Sequence, residues 1–423
     1  MKDMGGSSEA ITEVADRPGA LGLAPRITIS GFCEQDETMQ TVRQALKDRR
    51  MARTHGSLHE GGIEGAIEYC STAVTPNVMI IETLHDREKL FAQLATLAEH
   101  CDAGTKVILI GRLNDVALYR ELIKQGISEY MVAPANSMQI IETVLNLFAD
   151  PDAGTLGRLV SFFGAKGGVG SSTIAHNVAW TIAQTLDDDV IIGDFDLPFG
   201  TAGLNFNLDP AQGIADALSA PERIDDVLID RLLTKCTERL SLLAAPAQVD
   251  TRFRVDEDNV DVLLNALRAN VPFVVADLPH QWTKWTRHIL HNSDEVVITA
   301  TPDLASLRNA KSLIDLMKST RPNDAPPRLV LNQTGMPKRS EISAQEFTKV
   351  CGVEALTVVG FDGSLFATAA NNGQMLSQVN AHAKAVATIG ELASMLSGRK
   401  IPAKSSRLIS KLFGGAKLKR KGD

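Results

Sequence analysis

Gly164-Ala-Lys-Gly-Gly-Val-Gly170-Ser-Ser172 opens like a phosphate-binding loop and then omits the lysine such a loop is best known for. In the pattern G-x-x-x-x-G-K-[ST], backbone N–H groups cradle phosphates, the Lys reaches the terminal phosphates and the hydroxyl binds Mg²⁺. Gly170 and Ser172 fit, Gly164 lies one residue before the pattern's first position, Ser171 stands where that Lys belongs, and a different lysine, Lys166, sits near the start of the loop. Before the loop, Arg158-Leu-Val-Ser-Phe-Phe163 reads as a buried strand. After it, Ile174, Val178, Ile182 and Leu186 recur every four residues along one face of a helix whose N-terminus points at the loop. A Gly-rich run alone also reads as a tight turn. Strand, loop, Ser-Ser-Thr and amphipathic helix together favour a nucleotide site.

The chain has 423 residues, enough for two or three domains, with apolar content ordinary for globular cores. No stretch approaches the roughly 20 apolar residues that span a bilayer, and the N-terminus shows no apolar signal region, so a cytoplasmic protein is expected. Cys33, Cys70, Cys101, Cys236 and Cys351 are odd in number and form no C-x-x-C pair, the usage of reduced thiols rather than metal or Fe–S ligands. The formal charge of −8 hides an asymmetry. Nine Lys or Arg follow Gly398 against the single Asp423, giving the tail about +8 and the rest about −16. So acidic a body is a poor general nucleic-acid binder, and no specific nucleic acid is expected as a partner.

Residues 1–25 lack apolar periodicity and read as a flexible leader. From 26 to 149, Ile27-Thr-Ile-Ser-Gly, Val78-Met-Ile-Ile81, Val107-Ile-Leu-Ile110 and Glu129-Tyr-Met-Val132 alternate with helical patterns, predicting a small α/β domain with a parallel sheet. Residues 150–157 have linker composition. From 158 to 397 the alternation predicts seven strands, near 159–163, 190–194, 240–244, 273–277, 296–300, 329–332 and 357–360, in a doubly wound, mostly parallel sheet. Residues 398–423 form a basic tail.

Two of these strands end in carboxylates. Val190-Ile-Ile-Gly-Asp194-Phe-Asp196 ends in two, and Phe273-Val-Val-Ala-Asp277 has the Walker B arrangement. Phosphoryl chemistry needs acidic groups to hold Mg²⁺ and a residue to position the attacking water. An Asp after a strand is often only a helix cap or turn residue. Beside the loop, each is expected to face a nucleotide.

The loop, Asp194-Phe-Asp196, Asp277-Leu-Pro and Leu331-Asn332-Gln, in this order, resemble the deviant Walker A ATPases of the MinD/ParA group. The resemblance covers most of residues 158–397 and extends to Thr301-Pro-Asp-Leu-Ala-Ser-Leu-Arg308-Asn and Phe361-Asp362-Gly-Ser. It implies ATP and Mg²⁺ as cofactors and a homodimer. Gly164, Ala165, Lys166, Gly167, Gly168, Val169, Gly170, Ser171, Ser172 and Thr173 would form the phosphate loop. Lys166 would be the signature lysine that reaches a partner's phosphates, and Asp196 the switch carboxylate for hydrolysis. Ser172, Asp194 and Asp277 would serve the metal, and Asn332 would contact adenine. Ser171 departs from the family and weakens the expectation of turnover, since phosphoryl transfer depends on positioned positive charge.

The first domain resembles a response-regulator receiver, of flavodoxin-like fold, without receiver chemistry. Glu82 stands for the phosphoacceptor Asp, Gly111 for Ser or Thr, and Ala133-Pro134 for Lys-Pro. An atypical receiver followed by a MinD-like ATPase is similar to the TadZ/CpaE family of Flp (tight-adherence) pilus assembly proteins. That resemblance implies polar positioning of pilus assembly, with the Flp/Tad secretion ATPase and inner-membrane platform as partners. The rivals are a ParA-type DNA partition ATPase and a nucleotide-insensitive scaffold; a nitrogenase-iron-protein-like reductase is set aside on cysteine placement.

In the tail, Leu408, Ile409, Leu412 and Phe413 would share one helical face flanked by Lys404, Arg407 and Lys411. Each basic residue near anionic lipid contributes on the order of 1 kcal/mol, so the tail reads either as a peripheral membrane contact or as a disordered solubilising end. Trp282 and Trp285 are expected to pack under a loop, and His176 to be helix surface or core rather than a catalytic base.

Overall fold

Strands that are apolar along both faces need cover on both sides, which places helices above and below a parallel sheet. The computed structural model describes residues 22–102, 104–149, 156–246, 248, 255–353 and 356–399. The first sheet comprises Thr28–Cys33 (β1), His55–Glu60 (β2), Val78–Thr83 (β3), Lys106–Gly111 (β4) and Glu129–Val132 (β5). It is parallel, in the order β2-β1-β3-β4-β5, the flavodoxin-like order. β2 was not anticipated: His-Gly-Ser-Leu-His-Glu has no apolar run because it is an edge strand with largely uncovered side chains. On β3, Val78 and Ile80 enter one core while Met79 and Ile81 enter the other, the period of two that a sandwiched strand requires.

The second sheet has eight strands: Arg158–Gly164 (β6), Val190–Asp194 (β7), Thr234–Lys235 (β8), Leu240–Leu243 (β9), Phe273–Asp277 (β10), Glu295–Ala300 (β11), Arg328–Thr334 (β12) and Leu356–Gly360 (β13). Their order is β13-β12-β11-β6-β10-β7-β9-β8. The seven expected strands are present; β8 is an added two-residue antiparallel edge too short to leave a pattern. The chain leaves β6 for β7, two places away on one side, and later fills β11 on the other. The edge beyond β6 is therefore a topological switch point, where α/β sheets bind ligands.

The N-terminal segment needs a correction. Ala24, counted in the flexible leader, is fully buried in the first core, and its N–H donates to the Arg50 carbonyl at 2.7 Å. The basic tail lies outside the described residues except Gly398 and Arg399. Arg399 donates to the Leu186 carbonyl at 2.6 Å and pairs with Asp188 at 3.0 Å. All five cysteines are free thiols. Burial pushes Cys236 up to about 12.

Candidate nucleotide site

β6 runs straight into the loop, and the loop's backbone is held from outside by side chains of several elements. His280 Nδ1 donates to the Gly164 carbonyl at 2.8 Å and Asn309 Nδ2 to that of Ala165 at 2.8 Å. Gln333 Nε2 donates to Gly168 at 3.2 Å and Asn332 Nδ2 to Val169 at 2.9 Å. In a trans peptide the following N–H points opposite to the carbonyl, so the N–H groups of Lys166, Val169 and Gly170 lie on the other side of those planes. Gly168 and Gly170 have φ of +77° and +85°. A Cβ at Gly170 would stand 2.6 Å from Asn332 Nδ2. The helix Ser171–Thr185 then starts at the loop's end, as its apolar spacing predicts.

Asp194 and Asp277 are register partners at the ends of β7 and β10 and are 1% and 3% exposed. Asp194 accepts from the N–H groups of Asp196 at 3.1 Å and Ala202 at 3.0 Å. Burial, and then the neighbouring Asp277 carboxylate, push the Asp194 carboxyl up to about 7. Asp196 is shifted upward mainly by burial, with a smaller push from Asp277, against the hydrogen bond from Phe199 N–H. Lys166 is engaged within its own chain, with Nζ 2.7 Å from Asp303 Oδ2. Despite an opposing effect of burial, the bonds from Lys166, Thr301 and Ser306 hold Asp303 well below the usual carboxylate range.

A cavity of about 380 Å³ adjoins the loop. Gly168, Gly170, Thr173 and Asn332 line it, with Phe361 and Phe366 supplying apolar wall. The other loop residues, Asp194, Asp196 and Asp277 lie outside its lining. Sequence reasoning missed His176 and Asn205, which also line it. His176 is fully buried, with Nε2 3.2 Å from Asp277 Oδ2, so the acid partner that sequence could not identify is the Walker B carboxylate. The available signal was its place one helical turn after Thr173, on the loop's side of the helix. Trp285 packs near Phe195 as expected; Trp282 stands edge-on to Phe163 yet is 47% exposed.

The site suits a phosphate with a divalent cation. Asp277 Oδ1, His176 Nε2 and Ser171 Oγ are buried with no hydrogen-bond partner among the described residues, and the two buried carboxylates adjoin with His176 but no Lys or Arg paired to either among those residues. Ser172, Asp194 and Asp277 would hold Mg²⁺, which supplies positive charge to phosphate oxygens.

At the corresponding edge of the first sheet the acidic side chain is already engaged. Glu82 is 2% exposed, and its carboxylate accepts from the N–H groups of Glu34 and Gln35, each at 2.8 Å, and from Thr38 Oγ1 at 2.6 Å. It thereby ties down the backbone that leads into the helix Asp36–Leu46. At Gly111 a Cβ would meet the Tyr130 hydroxyl at 2.6 Å, which leaves no room for a Ser or Thr.

Residues 158–325 match the family model described as cellulose biosynthesis protein BcsQ. The septum site-determining protein MinD of Helicobacter pylori is 27% identical over 229 residues, 51% of this chain and 82% of that protein. Among solved structures, a ParA family ATPase from Chlorobium tepidum TLS is 27% identical, with a TM-score of 0.52, covering 57% of this chain and 99% of that one. The pilus assembly protein CpaE of Caulobacter crescentus CB15 is 42% identical over 31% of this chain and 100% of its own, with a TM-score of 0.30.

Proposed function

We propose that this chain, a MinD/ParA-like ATPase by the fold and sequence of its second sheet, is an ATP-binding switch that positions Flp/Tad pilus assembly at a cell pole. The carrying observation is the switch-point edge of the second sheet, where a braced glycine loop meets register-paired Asp194 and Asp277. In this reading the loop N–H groups and Ser172 take the phosphates and Mg²⁺ of ATP, and Asn332 with the apolar end of the cavity takes the adenine. Asp196 positions water. Lys166 leaves Asp303 for a partner's phosphates, which makes dimerisation nucleotide-linked. The pilus process is taken from the CpaE name and from the order of an atypical receiver before the ATPase. It implies the secretion ATPase and inner-membrane platform as partners, with the tail as a peripheral membrane contact. No described helix is long and apolar enough to cross a membrane.

One observation favours a second reading, a nucleotide-insensitive scaffold: Ser171 brings no cation, and Lys166 is already paired. Steady-state Mg·ATP hydrolysis by the purified chain, with and without anionic vesicles and beside Asp196→Ala, tests the cycling switch. Turnover above that variant supports the cycling switch. Turnover equal to it removes the ATPase claim.

A further inference from the structure

His176 is fully buried, and its two ring nitrogens face different parts of the nucleotide site. Asn205 Nδ2 donates to Nδ1 at 3.0 Å, which leaves the ring proton on Nε2. Nε2 lies 3.2 Å from Asp277 Oδ2, against the carboxylate but out of line for a hydrogen bond, and Asp277 Oδ1 has no partner at all among the described residues. A histidine serving only to fill a core would have its polar atoms satisfied there. The ring is instead held by packing, 5.6 Å from Phe206, which in turn stacks on Trp180 at 6.5 Å.

Asn205 closes the short turn Ala202–Asn205, which follows Asp196. The first amide of that turn, Ala202 N–H, donates to Asp194 Oδ2. One turn therefore reaches both strand-end carboxylates, Asp194 directly and Asp277 through the imidazole. Its outer side is open to solvent, with Leu204 72% and the nearby Phe199 62% exposed, so the turn can respond to whatever binds there.

We infer that His176 is a positioning residue that couples the Asp277 carboxylate to the turn after Asp196, so that the cation end of the site is set only when that turn is seated. The inference rests on the nucleotide-site reading above. It assigns His176 no direct contact with phosphate; the imidazole acts through Asp277, as residues behind a metal ligand do when they fix its orientation.

The test is the affinity of the full-length chain for a fluorescent, non-hydrolysable ATP analogue, measured with Mg²⁺ and with EDTA. His176→Leu keeps bulk against Phe206 and removes both nitrogens. It should erase most of the Mg²⁺-dependent gain, a loss of about tenfold or more, while affinity in EDTA stays within about twofold. His176→Gln should recover part of the gain. Asn205→Ala, which removes only the amide that holds Nδ1, should shift the gain in the same direction as His176→Leu. An unchanged Mg²⁺ gain in His176→Leu or Asn205→Ala overturns the inference, as does an equal fall in both conditions. A wild-type chain that binds no analogue in either condition overturns the nucleotide-site reading itself, a result distinct from these.

Discussion

At the scale of single residues, Ser171 stands where a cation is usual, and its Oγ is buried without a partner among the described residues. An unsatisfied buried hydroxyl costs about 1–3 kcal/mol, so removing it relieves the fold, whereas a hydroxyl that meets a ligand contributes about 0.5–1.5 kcal/mol to binding. Ser171→Ala should therefore keep or raise the melting temperature of the ligand-free protein while weakening the ATP analogue about three- to tenfold. Paired thermal melts and binding titrations check this, and a loss of ligand-free stability would refute it. Lys166 illustrates what sequence conceals. Its spacing marks it as chemically important, but its partner Asp303 is far away in sequence, and only the fold brings them to 2.7 Å.

At the scale of elements, the loop and the strand β12 that carries Asn332 and Gln333 act as one unit. Gly168 and Gly170 both need positive φ, a region that costs an L residue about 1–2 kcal/mol. Their surroundings differ. A Cβ at Gly168 meets nothing within 4 Å, while one at Gly170 would displace the Asn332 amide from Val169. Gly168→Ala should thus lose only that backbone cost, and Gly170→Ala should lose more and also abolish analogue binding. Urea denaturation of the two variants measures the difference; equal losses would mean that Asn332 moves aside freely. The strands bearing this site were legible because β6, β7, β10, β11 and β12 are buried on both faces and read as continuous apolar runs. β2 and β8 were not, since an edge strand needs no apolar run. The pairing of Asp194 with Asp277 was legible only as two strand ends, and His176 was unassigned because its acid partner lies 101 positions away in sequence.

At the scale of the molecule, the two sheets are joined by a buried charge cluster. Arg49 Nε donates to Asp324 Oδ2 at 2.8 Å, Arg321 Nε donates to the same oxygen at 3.1 Å, and Arg50 pairs with Asp324 Oδ1. Asp48 accepts from Asn323 at 2.8 Å, and Ser137 bonds the other end of that amide at 2.9 Å. The Asp324 side chain is 5% exposed. Burial opposes its ionisation, yet the hydrogen bond and charge of Arg49, with Arg321 and Arg50, hold it well below the usual carboxylate range. A carboxylate lowered in the folded state contributes stability that is complete above its unfolded value of about 4 and is lost as pH falls towards its folded value, because the unfolded chain then binds the extra proton. Asp324→Asn leaves three guanidinium groups without their shared anion and should cost about 3–5 kcal/mol, the loss usual when one partner of a buried pair is removed. Arg49→Met should cost less, since Asp324 keeps two of its three cations. The helix Leu304–Thr320 runs from Asp303, the partner of Lys166, to this cluster, so the damage should extend beyond the contact between the sheets. Calorimetry should show a single cooperative transition at neutral pH that separates into two on acidification or in Asp324→Asn. A single transition in that variant, unshifted, would mean that the cluster does not hold the two halves together.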